Sequence, residues 1–406
     1  MIRLSTALRW LGLAALVLLG ARILVTGVAD HYARSDPERA LAWRSNQPEA
    51  LVNAATLRRK AGDVQQAADY ARRAIAANPL DGRGYRELAL ATADASGIAT
   101  TRALMQVAVR RAPRDLVTRD WLMRDALAQG RYDVALGHVD SMLRVDPPLG
   151  KALFPALATA VSEPAPRAAL IDVLATDPPW RAAFWNRLCR DGTDTAGIAQ
   201  VVEALRASKA PLDEREQHAW IERVIREHRW ASAYPAWVDT LDPAQRARIG
   251  NVFDGDFAWP PSNSGFGWRI DRVPGAEADF RGQPGQRYLH LRFANRRVPF
   301  RHVSQLLALA PGSYEFSGRL RMDALHNDRG VQWTITCAEG QGARIGETTR
   351  WSGSSPWRSF TTRLTVPETG CGAQWLRLVL AARIPAESQA SGQIDFANLR
   401  IDQIRD

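Results

Sequence analysis

Three patterns of apolar and polar positions follow one another along the chain. Trp10 to Ala21 is an apolar run that resumes after Arg22 as Ile23-Leu24-Val25, which predicts a single long helix. From about residue 48 to 247, apolar residues recur at helical spacing, as in Leu153, Leu157 and Val161, in Val201, Val202 and Leu205, and in Trp220, Ile221, Val224 and Ile225. Breakers such as Asp177-Pro178-Pro179 and Ala210-Pro211 divide these helices, and Asp213 to Leu241 has the form of one more helix pair. From about Asn251 the pattern alternates, in Tyr288–Phe293, Tyr314–Leu320, Val331–Cys337 and Trp375–Leu380, with Gly, Pro, Asn and Ser between the runs. Successive side chains of a strand point to opposite faces, so these runs predict antiparallel strands packed as a sandwich. The expected fold is multidomain α plus β: an N-terminal transmembrane helix, an all-α solenoid and a C-terminal antiparallel β-sandwich (jelly roll). The expected segments are 1–29, 30–149, 150–249 and 250–406.

Pro79, Pro113 and Pro147 stand 34 residues apart, each closing a helical run. Small or slender residues recur inside each interval: Ala55, Ala67 and Ala74; then Ala89, Thr101 and Ala108; then Met123, Ala135 and Met142, with turns at Gly62-Asp63 and Gly130. This pattern over about residues 48–147 resembles the tetratricopeptide-repeat family, in which each repeat is a pair of antiparallel helices. The resemblance implies a concave groove that holds a protein partner, with Asn53, Arg86 and Arg119 at comparable early positions of the three repeats as lining residues. Residues 150–249 are expected to continue the array in degenerate form and to cap it.

In the last third, Asn251-Val252-Phe253-Asp254-Gly255-Asp256-Phe257, Gly267-Trp268, Gln305-Leu306, Pro311-Gly312-Ser313-Tyr314 and Ile394-Asp395-Phe396 resemble the galactose-binding-like and carbohydrate-binding-module sandwiches. The resemblance implies sugar recognition, which needs an aromatic ring for the apolar face of the sugar and planar polar groups for its hydroxyls. With Tyr314, Phe316, Leu320 and Met322 directed inward, Arg319 and Arg321 share the outer face of their strand; with Leu376, Leu378 and Leu380 inward, Trp375 and Arg377 face outward on theirs. Trp375, Arg377, Arg319, Arg321 and Gln332 are therefore the candidate glycan ligands, while Trp333 and Trp268 are expected in the core.

Arg3 and Arg9 precede the apolar run, the grammar of export, and leave the positive side inside. Two outcomes stay open: residues 11–28 span the bacterial inner membrane once, with the bulk of the chain periplasmic, or the segment is removed at Gly27 and Ala29 and the chain is secreted to the periplasm. Cys337 and Cys371, confined to one domain of an exported chain, are expected to form a disulfide; the alternative is a pair of buried thiols. The net charge of +10 is carried almost wholly by arginines interspersed with Asp and Glu, and only Lys60, Lys151 and Lys209 are lysines. An unclustered charge of this kind argues against nucleic acid and leaves an acidic glycan or the membrane surface as the better anion.

No Gly-x-Ser-x-Gly elbow, phosphate-binding loop or His-Glu-x-x-His occurs, and Gly340–Gly346 misses the dinucleotide spacing. No cofactor and no resident metal are expected, although Asp254, Asp256 and Asp395 offer hard oxygens for a structural calcium ion. The sequence thus predicts a non-catalytic, membrane-anchored scaffold that binds a protein and a polysaccharide, accessory to making or exporting an envelope polysaccharide. A structural assembly protein without glycan contact and a carbohydrate-active enzyme with a binding module are the alternatives.

Overall fold

The computed structural model describes residues 2–404, with side chains from Trp10 onward, so Arg3 and Arg9 lie outside the described side chains. The chain divides into two compact units, Met1–Pro211 and Leu212–Asp406. The first opens with α1 (Ile2–Tyr32), whose stretch Trp10–Tyr32 is the one helix among the described residues long and apolar enough to cross a membrane. Its 23 residues rise about 35 Å, against a hydrocarbon core of about 30 Å. Leu11, Leu16, Leu18 and Ile23 stand exposed along it.

Then come α2 (Pro37–Trp43), α3 (Pro48–Lys60), α4 (Val64–Ala77), α5 (Gly82–Arg111), α6 (Leu116–Ala128) and α7 (Tyr132–Val145). Helix α5 is two helices joined at Gly97, whose φ of 77° only glycine adopts freely. The turns of the helix pairs thus fall at Gly62, Gly97 and Gly130, all with positive φ. The regular prolines have a direct effect. A residue before proline is driven out of the helical region, and Asn78, Ala112 and Asp146 accordingly leave it with ψ of 86°, 72° and 84°. Their amides still donate to the carbonyls of Ala74, Ala108 and Met142, which closes each helix one residue short of its proline. At the same interval Gln47, Asp81 and Asp115 cap α3, α5 and α6 through their side chains. All nine slender positions named above are buried, at 8 % exposure or less. Helices α8 (Gly150–Thr159), α9 (Pro164–Leu174), α10 (Arg181–Asp191) and α11 (Thr195–Arg206) follow without the proline interval. They pack around Phe154, Trp180 and Phe184, and the buried Arg181 donates to the carbonyls of Leu174, Ala210 and Pro211.

The second unit begins with α12 (Glu214–Arg226), set by an Asp213/Glu216 capping box, then α13 (Trp230–Val238) and α14 (Pro243–Arg246). Ten strands follow: β1 (Trp268–Ile270), β2 (Ala276–Arg281), β3 (Tyr288–Arg297), β4 (Val303–Leu307), β5 (Gly312–His326), β6 (Val331–Cys337), β7 (Arg344–Glu347), β8 (Gly353–Val366), β9 (Gln374–Leu380) and β10 (Gln389–Gln403). They form two five-stranded antiparallel sheets, in the orders β1-β4-β9-β6-β7 and β2-β3-β10-β5-β8. The inward residues of both sheets meet in one core centred on Trp268, Trp333, Phe316 and Phe396. Cys337 and Cys371 form a disulfide, joining the end of β6 to the segment before β9. Two fully buried glutamines clasp the loops: Gln305 exchanges hydrogen bonds with the backbone of Phe253, and Gln374 with that of Leu309 and Cys371.

Candidate functional site

The outer face of the β2-β3-β10-β5-β8 sheet carries a row of polar residues in cross-strand register. Asp279 on β2 stands opposite His290 on β3, His290 opposite Asp395 on β10, and Asp395 opposite Arg321 on β5. In such a row the side chains are direct neighbours, so they bond across the strands. His290 Nδ1 donates to Asp395 Oδ1 at 2.6 Å, and Arg321 Nε donates to Asp395 Oδ2 at 2.5 Å. The Asp395 carboxylate is 3 % exposed although it lies on an outer face, because its neighbours cover it. Its bond to Arg321 raises the guanidinium pKa further, so this group stays charged at any physiological pH. His290 Nε2 is buried with no hydrogen-bond partner.

Two aromatic rings stand beside this row. The Arg321 guanidinium lies 5.0 Å from the ring centroid of Tyr288 and 5.2 Å from that of Trp357, and Arg319 lies 5.6 Å from Trp357. Tyr288 and Trp357 meet edge to face at 6.0 Å. Trp357 reaches this position because the pairing of β8 with β5 slips: Leu320 faces Arg358, whereas Met322 faces Ser355. A bulge of this kind re-aims the side chains beside it. The result is a patch of two half-buried aromatic rings, the half-buried Arg321 and the exposed Arg319. Its rings offer flat apolar surface, and the Arg321 guanidinium hydrogens are donors held in place by the Asp395 bond.

The five residues expected to bind glycan do not come together. Arg319 and Arg321 belong to the patch just described. Trp375, Arg377 and Gln332 lie on the other sheet, where Arg269 and Arg377 stack over the Trp375 ring at 5.5 and 4.7 Å. Arg269 is in turn held by Glu222 of α12. The Gln332 amide is 3 % exposed and already bonded, donating to Glu347 and accepting from Arg350. The reason for the separation is topological. Strands β6 and β9 pair with each other, and β5 pairs with β10 and β8, so outward residues of the two sets point to opposite sides of the sandwich. Tyr288, Trp357 and His290 escape the sequence reading because their proximity depends on β3, β10, β5 and β8 lying side by side.

The three residues expected to line a partner groove also have internal partners. Arg86 is 8 % exposed and pairs with Glu87 and, at 2.5 Å, with Asp115, the cap of the following helix. Asn53 donates to the Ala33 carbonyl and Arg119 to that of Pro113. Arg86 thus ties α5 to the start of α6 where the sequence suggested a groove-lining role. Asp254 and Asp256 lie beside each other, Asp254 capping the amides of Ala258 and Trp259 and Asp256 pairing with Arg248, whereas Asp395 belongs to the sheet row. Among the described residues no group of three or more His, Cys, Asp or Glu side chains is arranged to hold a metal ion.

No family model matches the chain, and no curated protein does. Among solved structures, the chain is similar to a CBM4 module, with 17% identity, a TM-score of 0.31 and coverage of 38% of this chain and 99% of that one. It is also similar to the CBM22-1 xylan-binding domain of Xyn10C from Paenibacillus barcinonensis, with 13% identity, a TM-score of 0.26 and coverage of 37% and 92%. The enzymatically active domain of tailspike protein 4 from bacteriophage CBA120 matches at 13% identity with a TM-score of 0.26, over 39% of this chain and 21% of that one.

Proposed function

We propose that the β-sandwich binds a glycan on the outer face of its β2-β3-β10-β5-β8 sheet, through Tyr288, Trp357, Arg319 and Arg321. The observation that carries this reading is the clustering of two half-buried rings with two guanidiniums, one of them fixed by a buried carboxylate. A pyranose presents an apolar C–H face and a rim of hydroxyls; the rings take the first and the guanidiniums donate to the second. Binding is favoured over catalysis because Asp395 already has His290 and Arg321 as partners, whereas glycoside hydrolysis needs two carboxyl groups free to face the bond.

The rest of the chain fits a larger role of the same kind. Residues 11–28 would anchor it in the inner membrane with the bulk periplasmic. The helix pairs, read as tetratricopeptide repeats, would hold a protein partner, and the whole would serve as a non-catalytic scaffold in making or exporting an envelope polysaccharide. The exposed apolar face of α1 and the 34-residue recurrence of caps, turns and buried small residues support these parts.

The test is a glycan microarray of the full chain in detergent, followed by titration of the glycans retained. Trp357→Ala should weaken binding about 30-fold, the equivalent of about 2 kcal/mol for losing a central ring. Trp375→Ala, on the opposite sheet, should leave binding unchanged. Equal affinity of the native and Trp357→Ala chains would sink the assignment, and loss through Trp375→Ala alone would move the site to the other sheet.

A further inference from the structure

A cavity of about 660 Å³ opens elsewhere on the sandwich, where the end of β3, the segment leading into β4, the end of β9 and residues 381–388 come together. Its floor is apolar, with Phe300, Val379 and Leu380, and three arginines, Arg297, Arg301 and Arg383, stand around it. No Asp or Glu lines it. Glu387, in the segment that forms one wall, is already engaged: it accepts from Arg329 at 2.7 Å and from the Arg383 amide at 2.8 Å. Asp271 is the acid beside His302, where its amide donates to the His302 carbonyl.

The three guanidiniums have neither an ion pair nor a hydrogen bond within the described residues. Arg281, Arg321, Arg329 and Arg344 on this sandwich each have a carboxylate partner, whereas Arg292, Arg296, Arg358 and Arg363 resemble these three in having none among the described residues; what distinguishes Arg297, Arg301 and Arg383 is that they share one cavity. Like charges that share one cavity repel unless a counter-charge joins them. An arrangement of this kind is completed by an anion. Guanidiniums pair with carboxylate or phosphate oxygens in forked, charge-assisted bonds. The apolar floor calls for an anion carried on a body with an apolar face, and the volume suits one or two sugar rings.

We propose that this pocket is a second glycan subsite, taking the carboxylate of a uronic-acid residue between Arg297, Arg301 and Arg383, with the sugar ring against the half-buried Val379 and the exposed Ile384. The choice of a sugar as the body rests on the glycan reading of the sheet face; the choice of an anion does not. The pocket would make the sandwich select acidic over neutral chains. Net positive charge would then act at one built site rather than as a diffuse field.

The experiment uses the full chain in detergent carrying Trp357→Ala, so that the sheet face is silenced. Titration compares trigalacturonate, neutral galactotriose and inorganic phosphate, with phosphatidylglycerol vesicles as a fourth probe. Trigalacturonate should bind at least about tenfold more tightly than galactotriose, and Arg297→Gln with Arg301→Gln and Arg383→Gln should abolish the difference. Arg301→Lys, which keeps the charge but loses the fork, should retain only part of it, and exposed positions of this kind should leave the melting temperature unchanged. A triple variant that is folded and still prefers trigalacturonate overturns the proposal. So does a chain that ignores trigalacturonate, whether it is displaced to phosphate or to vesicles. If native chain binds no neutral glycan yet the arginine-dependent preference stands, the sheet-face reading fails and the pocket survives.

Discussion

Asp254 shows how one carboxylate can set the pH response of the sandwich. It is 4 % exposed, with φ of 51°, and its oxygens accept from the amides of Ala258 and Trp259. Burial outweighs those bonds and, with help from nearby Asp256, pushes its pKa up to about 6. A carboxyl whose pKa is raised in the folded state holds its proton there after the unfolded chain has released it. Its favourable contribution is present below about pH 3.8 and is lost as pH rises to about 6, a difference of up to about 3 kcal/mol. Native chain should therefore lose stability across that window relative to Asp254→Asn, and parallel melting curves at pH 4 and pH 7 would refute this. The neighbouring Gly255 is fixed by contact, since a Cβ there would lie 1.9 Å from the Leu399 carbonyl oxygen. Gly255→Ala should cost about 2–3 kcal/mol by lifting this segment off β10, as read by denaturant unfolding.

At the scale of elements, the helix pairs are joined by buried charge as well as by alanine contacts. Glu87, 1 % exposed, accepts from Arg59 and Arg86, and Arg86 passes on to Asp115. Removing one partner strands the others in a dry site, so Glu87→Ala should destabilise the helical unit by about 3–5 kcal/mol in urea unfolding. The exposed Arg124–Asp120 pair offers the contrast: Asp120→Ala should change stability by under about 1 kcal/mol. In the sandwich, Cys337 and Cys371 close a loop of 34 residues. Replacing both with alanine should lower stability by about 3–4 kcal/mol on the chain-entropy estimate, and native chain should show a matching loss when reduced.

For the whole molecule, the anchor proposed at residues 11–28 rests on the exposed apolar stretch of α1 from Trp10 onward. An apolar surface of this extent seeks a membrane or a protein partner. Deleting residues 2–29 should move the chain from the membrane pellet to the soluble fraction while leaving glycan binding intact; persistence in the pellet would mean that another surface holds it there. The two compact units, Met1–Pro211 and Leu212–Asp406, each carry their own core, and the second includes the helices α12 to α14 along with the sandwich. The sandwich is therefore best expressed from before Asp213, since a cut at residue 250 would remove Glu222 from Arg269 and Trp237 from Phe253.

What the sequence determined by itself is whatever depends on near neighbours in the chain. The proline interval marks helix ends, because proline acts on the residue just before it. The alternation in Tyr314–Met322, Val331–Cys337 and Leu376–Leu380 separates inward from outward side chains, because the pleat does so locally, and in the second of these it places Trp333 in the core. The disulfide followed from two cysteines sharing a domain. Which outward residues become neighbours was decided only by the tertiary structure. Arg321 meets Asp395, 74 residues further along the chain, and Tyr288 on β3, Asp395 also bonds His290 from its other side, and Trp357 joins them through a register slip. The same pairing sends Trp375 and Arg377 to the far side of the sandwich. A strand's two faces are written in its own residues; its partners are chosen by the packing of the entire sheet.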